Sequence, residues 1–550
     1  MKKLFKVLLW TLVGIVALPI IMMCYLYLSA DMGEPELSFD PTKYVAVNKS
    51  DTLVCGNSYM RYDSCGLWEL YVVGSGEVRG AKQGVLTKGL MKYQEDVFIN
   101  QIRNIIPSDS YLSFLRTFII IFNRNLGRDI PLEYRQEIAS MSQYCTHEYD
   151  AIGTPYERQL NYHAAHDIGH TMQQYMLVGC SSFGVWGKLA QDSSMVVGRN
   201  FDFYVGDDFA KNKLMTFAVP DNGYRYASIG WAGMVGVLSG MNECGLTVTI
   251  NAAKGAIPTS AAIPISILTR EILQYASNIK EAYEIALSRK TFVSESILVG
   301  STKDNKCAII EKTPQRTELY FSEKEMIICT NHFQSEAFMT DSYNVENIEN
   351  SDSKYRYDRL EELLQQHKQI SYTSAVEILR NRFGKGGTDI GIGNEMSLNQ
   401  SIAHHSVVFM PKEKLMWVST SPWQSGTMVC YDLKGFFEGT SKPYCKLDME
   451  IAEDSSFIRH DYPLLIKYRK CVKEINDAIK HNEKLSVGYI NNFLALNEHH
   501  YYTYRIIGDY YAAMTEDAKA IEMYKRSLNC AIPYKNEQEE IEKLIIKLRK

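Results

Sequence analysis

Positive charge is not in surplus in this chain. Fifty-nine Lys and Arg stand against 64 Asp and Glu, a formal net charge of -5 with a pI near 6.2, and the basic clusters are short and scattered. That balance removes the electrostatic footprint of a nucleic-acid binder. Long apolar runs are also scarce. Beyond residue 30 the segment Phe118-Ile119-Ile120-Ile121-Phe122 is too short to span a bilayer and reads as buried protein. A disordered composition is excluded, since 46% of the residues are hydrophobic and 22% charged. Two motif-like stretches lack the residue that would define them. His163-Ala164-Ala165-His166-Asp167-Ile168-Gly169-His170 sets His166 and His170 on one helix face at zinc-site spacing, without the Glu of the zinc-protease pattern. Gly384-Lys385-Gly386-Gly387 is no phosphate loop, because neither Ser nor Thr follows Lys385; it reads as a loop over a pocket.

What is there begins with Met1-Lys2-Lys3-Leu4-Phe5-Lys6 and an uncharged run from Val7 to Ala30. About 22 helical residues cross a ~30 Å hydrocarbon core. Lysines before the run and Asp31, Glu34 and Glu36 after it place the start inside and the body outside. Bulky Met22, Met23, Tyr25 and Tyr27 give a poor cleavage site, so the reading is an uncleaved single-pass anchor in a bacterial inner membrane with an extracytoplasmic body. Secretion after signal cleavage is the alternative. Twelve cysteines, less Cys24 in the anchor and Cys180 discussed below, leave ten. In an exported protein these allow disulfides without demanding them, and Cys55 with Cys65 is the first pair to test.

The densest chemistry lies at Gly179-Cys180 and at Gly198-Arg199-Asn200-Phe201-Asp202-Phe203. Gly179 removes side-chain bulk just ahead of the thiol. Ser181 to Trp186 continues as a strand, and the strand Met195 to Gly198 delivers an arginine and a carboxylate. A thiol, a cation and an anion on one hairpin have the makings of an activated nucleophile. If the Gly179-Cys180 bond is cut, Cys180 gains an α-amine with a reference pKa of about 7.7–8.0, within reach of its own thiol as proton carrier. Neither that chemistry nor the residues call for a metal or another cofactor. A zinc hydrolase centred on His166 and His170 is a third reading, which stoichiometric metal would reveal.

These residues, with Asn251 in Gly245 to Asn251, Asn331 in Cys329-Thr330-Asn331-His332-Phe333 and Arg356 in Tyr355 to Leu360, resemble the cysteine branch of the N-terminal nucleophile hydrolases. The style is that of the autoproteolytic isopenicillin N acyltransferase family, related to bile salt hydrolases, penicillin V acylases and acid ceramidase-like amidases. The resemblance covers roughly Gly74 to Leu433. It implies a cleavage site at Gly179 and Cys180 and catalytic residues Cys180, Arg199, Asp202, Asn251, Asn331 and Arg356. Asp202 would hold the α-ammonium, Arg199 favour the thiolate, Asn251 and Asn331 supply oxyanion donors, and Arg356 fix Asp202 or a substrate oxygen.

Periodicity supports an α+β fold. Helices are expected at Lys88 to Ile106, Ser110 to Asn125 and Leu132 to Tyr144, and period-two strands from Cys180 onward interrupted by helices. The resemblance sharpens this to a four-layer αββα sandwich. The expected organisation is an anchor or signal at 1–30, a linker at 31–66, a prosegment at 67–179, a catalytic domain at 180–449 and a helical tail at 450–550. Tyr504, Ile507, Gly508, Tyr511, Ala520, Tyr524 and Pro533 resemble one tetratricopeptide unit, with no second copy. The functional expectation is an autoproteolytically activated cysteine amidohydrolase or acyltransferase that acts on a small-molecule N-acyl amide through a thioester. The alternative is a catalytically silent membrane-tethered scaffold whose tail binds a protein partner.

Overall fold

The computed structural model describes residues 6, 10, 17–18, 21–105, 117, 119–171, 178–256, 258 and 260–549. About half of the expected anchor lies outside the described residues, as does half of the expected helix from Ser110 to Asn125. Among the described residues no helix is long and apolar enough to cross a membrane, so the expected transmembrane helix has no support here.

Two sheets form the body. The larger has eleven strands, in the spatial order β1 (Val47–Lys49), β2 (Thr52–Cys55), β3 (Ser58–Tyr62), β4 (Trp68–Gly74), β7 (Leu214–Pro220), β8 (Tyr226–Gly230), β9 (Ser239–Asn242), β10 (Leu246–Ala252), β11 (Glu295–Ser301), β12 (Lys306–Lys312) and β13 (Thr317–Tyr320). The smaller has seven: β14 (Met326–Cys329), β5 (Val178–Val185), β6 (Val196–Phe203), β15 (Ala403–Met410), β16 (Leu415–Ser419), β17 (Met428–Asp432) and β18 (Tyr444–Cys445). Neighbours pair antiparallel except β4 with β7, which run parallel from Trp68 opposite Leu214.

The sheets face each other through Met195, Val197, Phe217, Ile229, Met241, Leu298, Ile309, Val407, Phe409 and Val418, all buried in one cluster. Burying each such side chain contributes about 1.5–3 kcal/mol. The outer face of the large sheet is covered by helices α1 (Gly76–Ile105), α2 (Leu132–Ser142), α3 (Pro155–Thr171), α4 (Ile265–Tyr275) and α5 (Ile279–Ser288). After α6 (Ser342–Asn350), helices α7 (Ser353–Gln365) and α8 (Tyr372–Leu379) cover the outer face of the small sheet, through Leu360, Leu364, Val376 and Leu379. Four layers result, αββα, because each sheet alternates between an inner and an outer apolar face.

Three differences from the sequence reading have physical causes. Residues 47–62, expected as linker, form β1 to β3 at the edge of the large sheet; these strands are short and largely polar on their outer positions. Helix α1 begins at Gly76, twelve residues before the expected start. Gly76, Gly80 and Gly84 hide it from propensity, yet they are there for packing. A Cβ at Gly80 would collide with the Glu137 carbonyl and one at Gly76 with that of Glu133, so the stripe lets α1 lie directly on α2. Finally, Cys55 and Cys65 do not approach as a pair. Cys55 sits in the helix-facing core and Cys65 packs at the margin of the inter-sheet core.

The C-terminal segment is helical: α9 (Tyr462–His481), α10 (Val487–Leu494), α11 (Tyr501–Ala513), α12 (Asp517–Leu528) and α13 (Lys535–Leu548). Gly508 allows α12 to press Tyr524 on α11. This tail packs on the body. Arg469 pairs with Asp207 at 2.9 Å and donates to the Ser401 carbonyl, and Asn497 exchanges two hydrogen bonds with the backbone of Ile392.

Candidate active site

Strand pairing decides which side chains meet. In the β5–β6 pair Gly179 lies opposite Asp202, Cys180 opposite Phe201 and Ser182 opposite Arg199. Paired residues share a face, and the faces alternate. Cys180 and Arg199 therefore point into the space between the sheets, while Gly179, Ser181 and Asp202 point to the helix side. The Gly179–Cys180 peptide bond crosses from one face to the other.

On the inner face Arg199 Nη2 approaches Cys180 Sγ at 3.7 Å. Arg199 is wholly buried, its guanidinium over the Phe201 ring at 4.2 Å. It donates to Ser239 Oγ and the Ile250 carbonyl, each at 2.5 Å. Those partners lie on β9 and β10, so the large sheet aims the cation at a sulfur on the small one. His405 Nε2 accepts from Arg199 Nη1 at 3.4 Å and contacts Ser239 Oγ at 2.9 Å. Glu295 and Asp167, both buried, face each other, and Glu295 also faces Arg199; burial pushes both carboxyls well above the usual range.

On the other side Arg356, early in α7, is bonded through every nitrogen. Nη1 donates to the Cys180 carbonyl at 2.7 Å and to Ser181 Oγ at 3.0 Å, Nη2 to Asn331 Oδ1 at 2.7 Å, and Nε to Asp352 at 2.9 Å. Asp352 one turn earlier anchors the fork. The Cys180 backbone N–H donates to Asn331 Oδ1 at 3.0 Å. The Asn331 amide nitrogen donates to the Ala252 carbonyl at 2.8 Å. Asn251 receives the Ser182 hydroxyl at 2.9 Å and donates to the Cys329 carbonyl at 2.9 Å. Each amide group carries two N–H donors, and one on each is spent here.

All six residues expected from the sequence thus gather around one bond, but not with the expected pairings. Asp202 does not hold the Cys180 nitrogen in the uncut chain; Asn331 does. Arg356 binds Asn331 and the Cys180 carbonyl instead of Asp202. Both Asp202 carboxylate oxygens are buried without a hydrogen-bond partner. Burial drives its carboxyl up to about 8, despite the pull of Arg356 and Arg199. Burial likewise raises the Cys180 thiol, Arg199 working against it and Asp202 and Glu295 with it. Burial thus favours the neutral form of both the Cys180 thiol and the Asp202 carboxyl in the uncut site.

Sequence reasoning missed Asp352, Ser239, His405 and Gln400. Asp352 was legible as a carboxylate four residues ahead of Arg356 on one helix. The others lie on distant strands and loops. Gln400 packs on Gly179 itself, where an added Cβ would stand 2.8 Å from its Nε2. Of the histidine run, His163 is a core residue. Its Nδ1 donates to the Gln159 carbonyl at 2.7 Å and its Nε2 accepts the Val235 N–H at 2.8 Å, with its pKa lowered to about 4 by burial. The side chains of His166 and His170 lie outside the described residues. A small, mostly apolar cleft of about 40 Å³ lies between α1, α3 and the loop carrying Trp231, lined by Met91, Phe98, Phe203, Phe209, Trp231 and Met234 with Glu95 and His163 among its polar groups. Phe203 stacks on Phe201, the cross-strand neighbour of Cys180, at 5.7 Å.

A protein of Archaeoglobus fulgidus, described only as uncharacterized, is 23% identical over 211 residues, 34% of this chain and 34% of the relative. The match thus spans about a third of that relative's own length. Protein dcd1A of Dictyostelium discoideum is 21% identical over 322 residues, 53% of this chain and 70% of its own. Among solved structures, the Caenorhabditis elegans ortholog of N-acylethanolamine-hydrolyzing acid amidase aligns at 18% identity over 42% of this chain and 93% of its own, with a TM-score of 0.31. Cys180 lies nine residues ahead of the segment that matches a family model. That segment, residues 189–420, carries Arg199, Asp202, Asn251, Asn331 and Arg356 and matches the family described as acyl-coenzyme A:6-aminopenicillanic acid acyl-transferase, so the resemblance drawn from the sequence is shown there.

Proposed function

We propose that the chain cuts itself before Cys180 and then cleaves or transfers the acyl group of a small-molecule N-acyl amide through a thioester on that residue. The single observation that carries this is the buried setting of one peptide bond. Its sulfur faces Arg199, the Cys180 nitrogen and carbonyl are gripped by Asn331 and Arg356, and glycine stands on its acyl side.

In the first stage Cys180 Sγ attacks the Gly179 carbonyl carbon. The C–N bond breaks, the thiol proton passes to the departing nitrogen, and a thioester joins Gly179 to Sγ. Water then hydrolyses the thioester, leaving a Gly179 carboxylate, a free thiol and an α-amine on Cys180. In the second stage that amine takes the thiol proton as Sγ attacks the substrate carbonyl, and returns it to the leaving amine. An ammonium has three protons where the amide had one. Asn331 Oδ1 keeps one, and another turns toward Asp202, which ionises as it gains a charged partner. The remaining N–H donors of Asn251 and Asn331 serve the oxyanion. Extracytoplasmic placement belongs to the same proposal.

Intact mass and gel analysis test the first stage: the native chain yields two fragments with Cys as a new N-terminus, whereas Cys180→Ala stays whole. A Cys180→Ala protein that still separates into two chains sinks the proposal. A panel of fatty-acyl, aryl-acyl and steroid amides, with and without an added amine acceptor, then separates hydrolysis from transfer.

A further inference from the structure

A second group of sulfurs lies apart from Cys180, where the N-terminal hairpin meets the last strand of the small sheet. The β3–β4 turn supplies Asp63 and Cys65, β4 supplies Glu69, and β18 supplies Cys445. One ligand atom each from Asp63, Cys65 and Cys445 falls within 4.8 Å of the other two. Glu69 Oε1 reaches Cys445 Sγ at 3.9 Å. We propose that Asp63, Cys65, Glu69 and Cys445 form a structural site for one thiophilic divalent cation, zinc by preference, clamping the two sheets together at this edge.

The donor set points to the ion. Two thiolates with two carboxylates suit zinc, whereas magnesium and calcium take oxygen alone. Ligands about 2.0–2.3 Å from a tetrahedral zinc lie roughly 3.3–3.8 Å apart, so the present spacing closes with side-chain adjustment of about 1 Å. The carboxylates are already oriented by other bonds, as metal ligands usually are. Glu69 Oε2 accepts from Arg61 Nε at 2.7 Å, leaving Oε1 toward the sulfurs. Asp63 accepts the Cys65 N–H at 2.9 Å and faces Arg61 at 3.4 Å.

Two further polar atoms wait at the rim. The Tyr431 hydroxyl, wholly buried, faces Glu69, Cys445 and Asp63. Glu450 faces Cys65 with a buried Oε1. Without a cation the group is electrostatically poor. The carboxyl groups of Asp63 and Glu69 crowd the two sulfurs at this edge. A disulfide would remove the thiols and leave the carboxylates crowded beside it. A divalent cation relieves both. Binding releases one proton from each thiol to solvent, with no change of oxidation state.

The test uses the full chain, purified without chelator and dialysed against zinc. Elemental analysis is expected to find a stoichiometric ion that Cys65→Ser and Cys445→Ser each reduce to background. Cys55→Ser, whose thiol faces Lys82 instead, should keep it. Cobalt substituted into the unaltered chain gives a thiolate charge-transfer band in the near ultraviolet, a readout that survives if the variants fail to fold. Absence of both ion and band overturns the proposal. So does a native mass lower by two hydrogens with a Cys65–Cys445 cross-linked peptide.

Discussion

Cys180 and the pair Cys65 and Cys445 are built from the same parts, and their environments have opposite sign. Each is a sulfur held near an arginine and an aspartate. At Cys180 the guanidinium of Arg199 is turned on the sulfur at 3.7 Å, while Asp202 lies on the opposite face of the strand pair. At the hairpin, Arg61 is spent on Glu69 and Asp63, and the carboxyl groups surround the sulfurs. One sulfur is set to become a lone anion beside a cation; the other two are set to share an incoming cation. Composition alone does not distinguish a nucleophile from a ligand. The face of the strand on which the arginine falls does.

The largest expected effect comes from removing the cation that defines the first site. Arg199→Met keeps the bulk and deletes the charge, so the Cys180 thiol loses what opposes its burial. Self-cleavage and turnover are expected to fall about 10²- to 10³-fold, the loss typical of one preorganised charge-stabilising contact. The same change leaves zinc binding at Cys65 and Cys445 untouched. A gel time course with iodoacetamide labelling across pH checks the first half and elemental analysis the second; an Arg199→Met chain that cuts at the native rate removes Arg199 from the chemistry.

Asp202→Asn sharpens the contrast at the other carboxyl. The folded uncut chain carries this carboxyl at about 8 against an ordinary 3.8. Its folded pKa is raised, so stability from the protonated form is fully present below about pH 4 and drains away as pH rises to 8. The native uncut chain, held as Cys180→Ala, should therefore melt lower at pH 8 than at pH 5. Adding Asp202→Asn, which has no charge to bury, should flatten that interval. In the active chain the same change costs about 10- to 100-fold in turnover, because the new α-ammonium loses its anion. A double variant as pH-sensitive as its parent would show that the slope arises at another carboxyl raised by burial: Glu69, Asp167, Glu295 or Glu395, the last lifted to about 8.

The hairpin at the centre of the first site was legible because period-two alternation is local. Cys180, Arg199 and Asp202 could be read as one group from two adjacent strands, and register alone puts the arginine on the sulfur's face. Their bonding was not legible. The acceptor for the Cys180 N–H is Asn331, and the fork on its carbonyl is Arg356, some 150 to 176 residues on. Sequence spacing carries no signal for that edge-on approach, which is why Asp202 was expected in the place Asn331 holds. The sulfurs at 65 and 445 were illegible for a related reason: the turn and the final short strand meet only after both sheets have formed. The tail is a third case. Its repeat-like helix pair was readable from Gly508 and Tyr524, but not its grip on the 391–401 loop, where Gly391 lies against His500 and Asn394 donates to the Ala531 carbonyl at 3.1 Å.

That loop sets up the smallest effect. Gln400 lies against Gly179, held by its own Nε2 donating to the Glu395 carbonyl at 2.9 Å. Gly179→Ala puts a methyl 2.8 Å from Gln400 Nε2 on the helix side of the strand, away from the attacking sulfur. The obstacle is a flexible side-chain end, so the chain should fold and cut, with self-cleavage slowed about tenfold or less, the scale of a ~1 kcal/mol repacking. Gln400→Ala in the same chain vacates that space and should restore the rate. Substrate turnover after cutting should move little in either variant, since the Gly179 carboxylate is by then free. At the hairpin the equivalent change, Ser64→Ala ahead of Cys65, should alter neither zinc content nor stability, because a cation is approached by sulfur and not by the residue before it. Rescue by Gln400→Ala would make the packing at Gly179 part of the cutting step, while a Gly179→Ala chain slowed equally with and without Gln400 would point to the backbone of the strand instead.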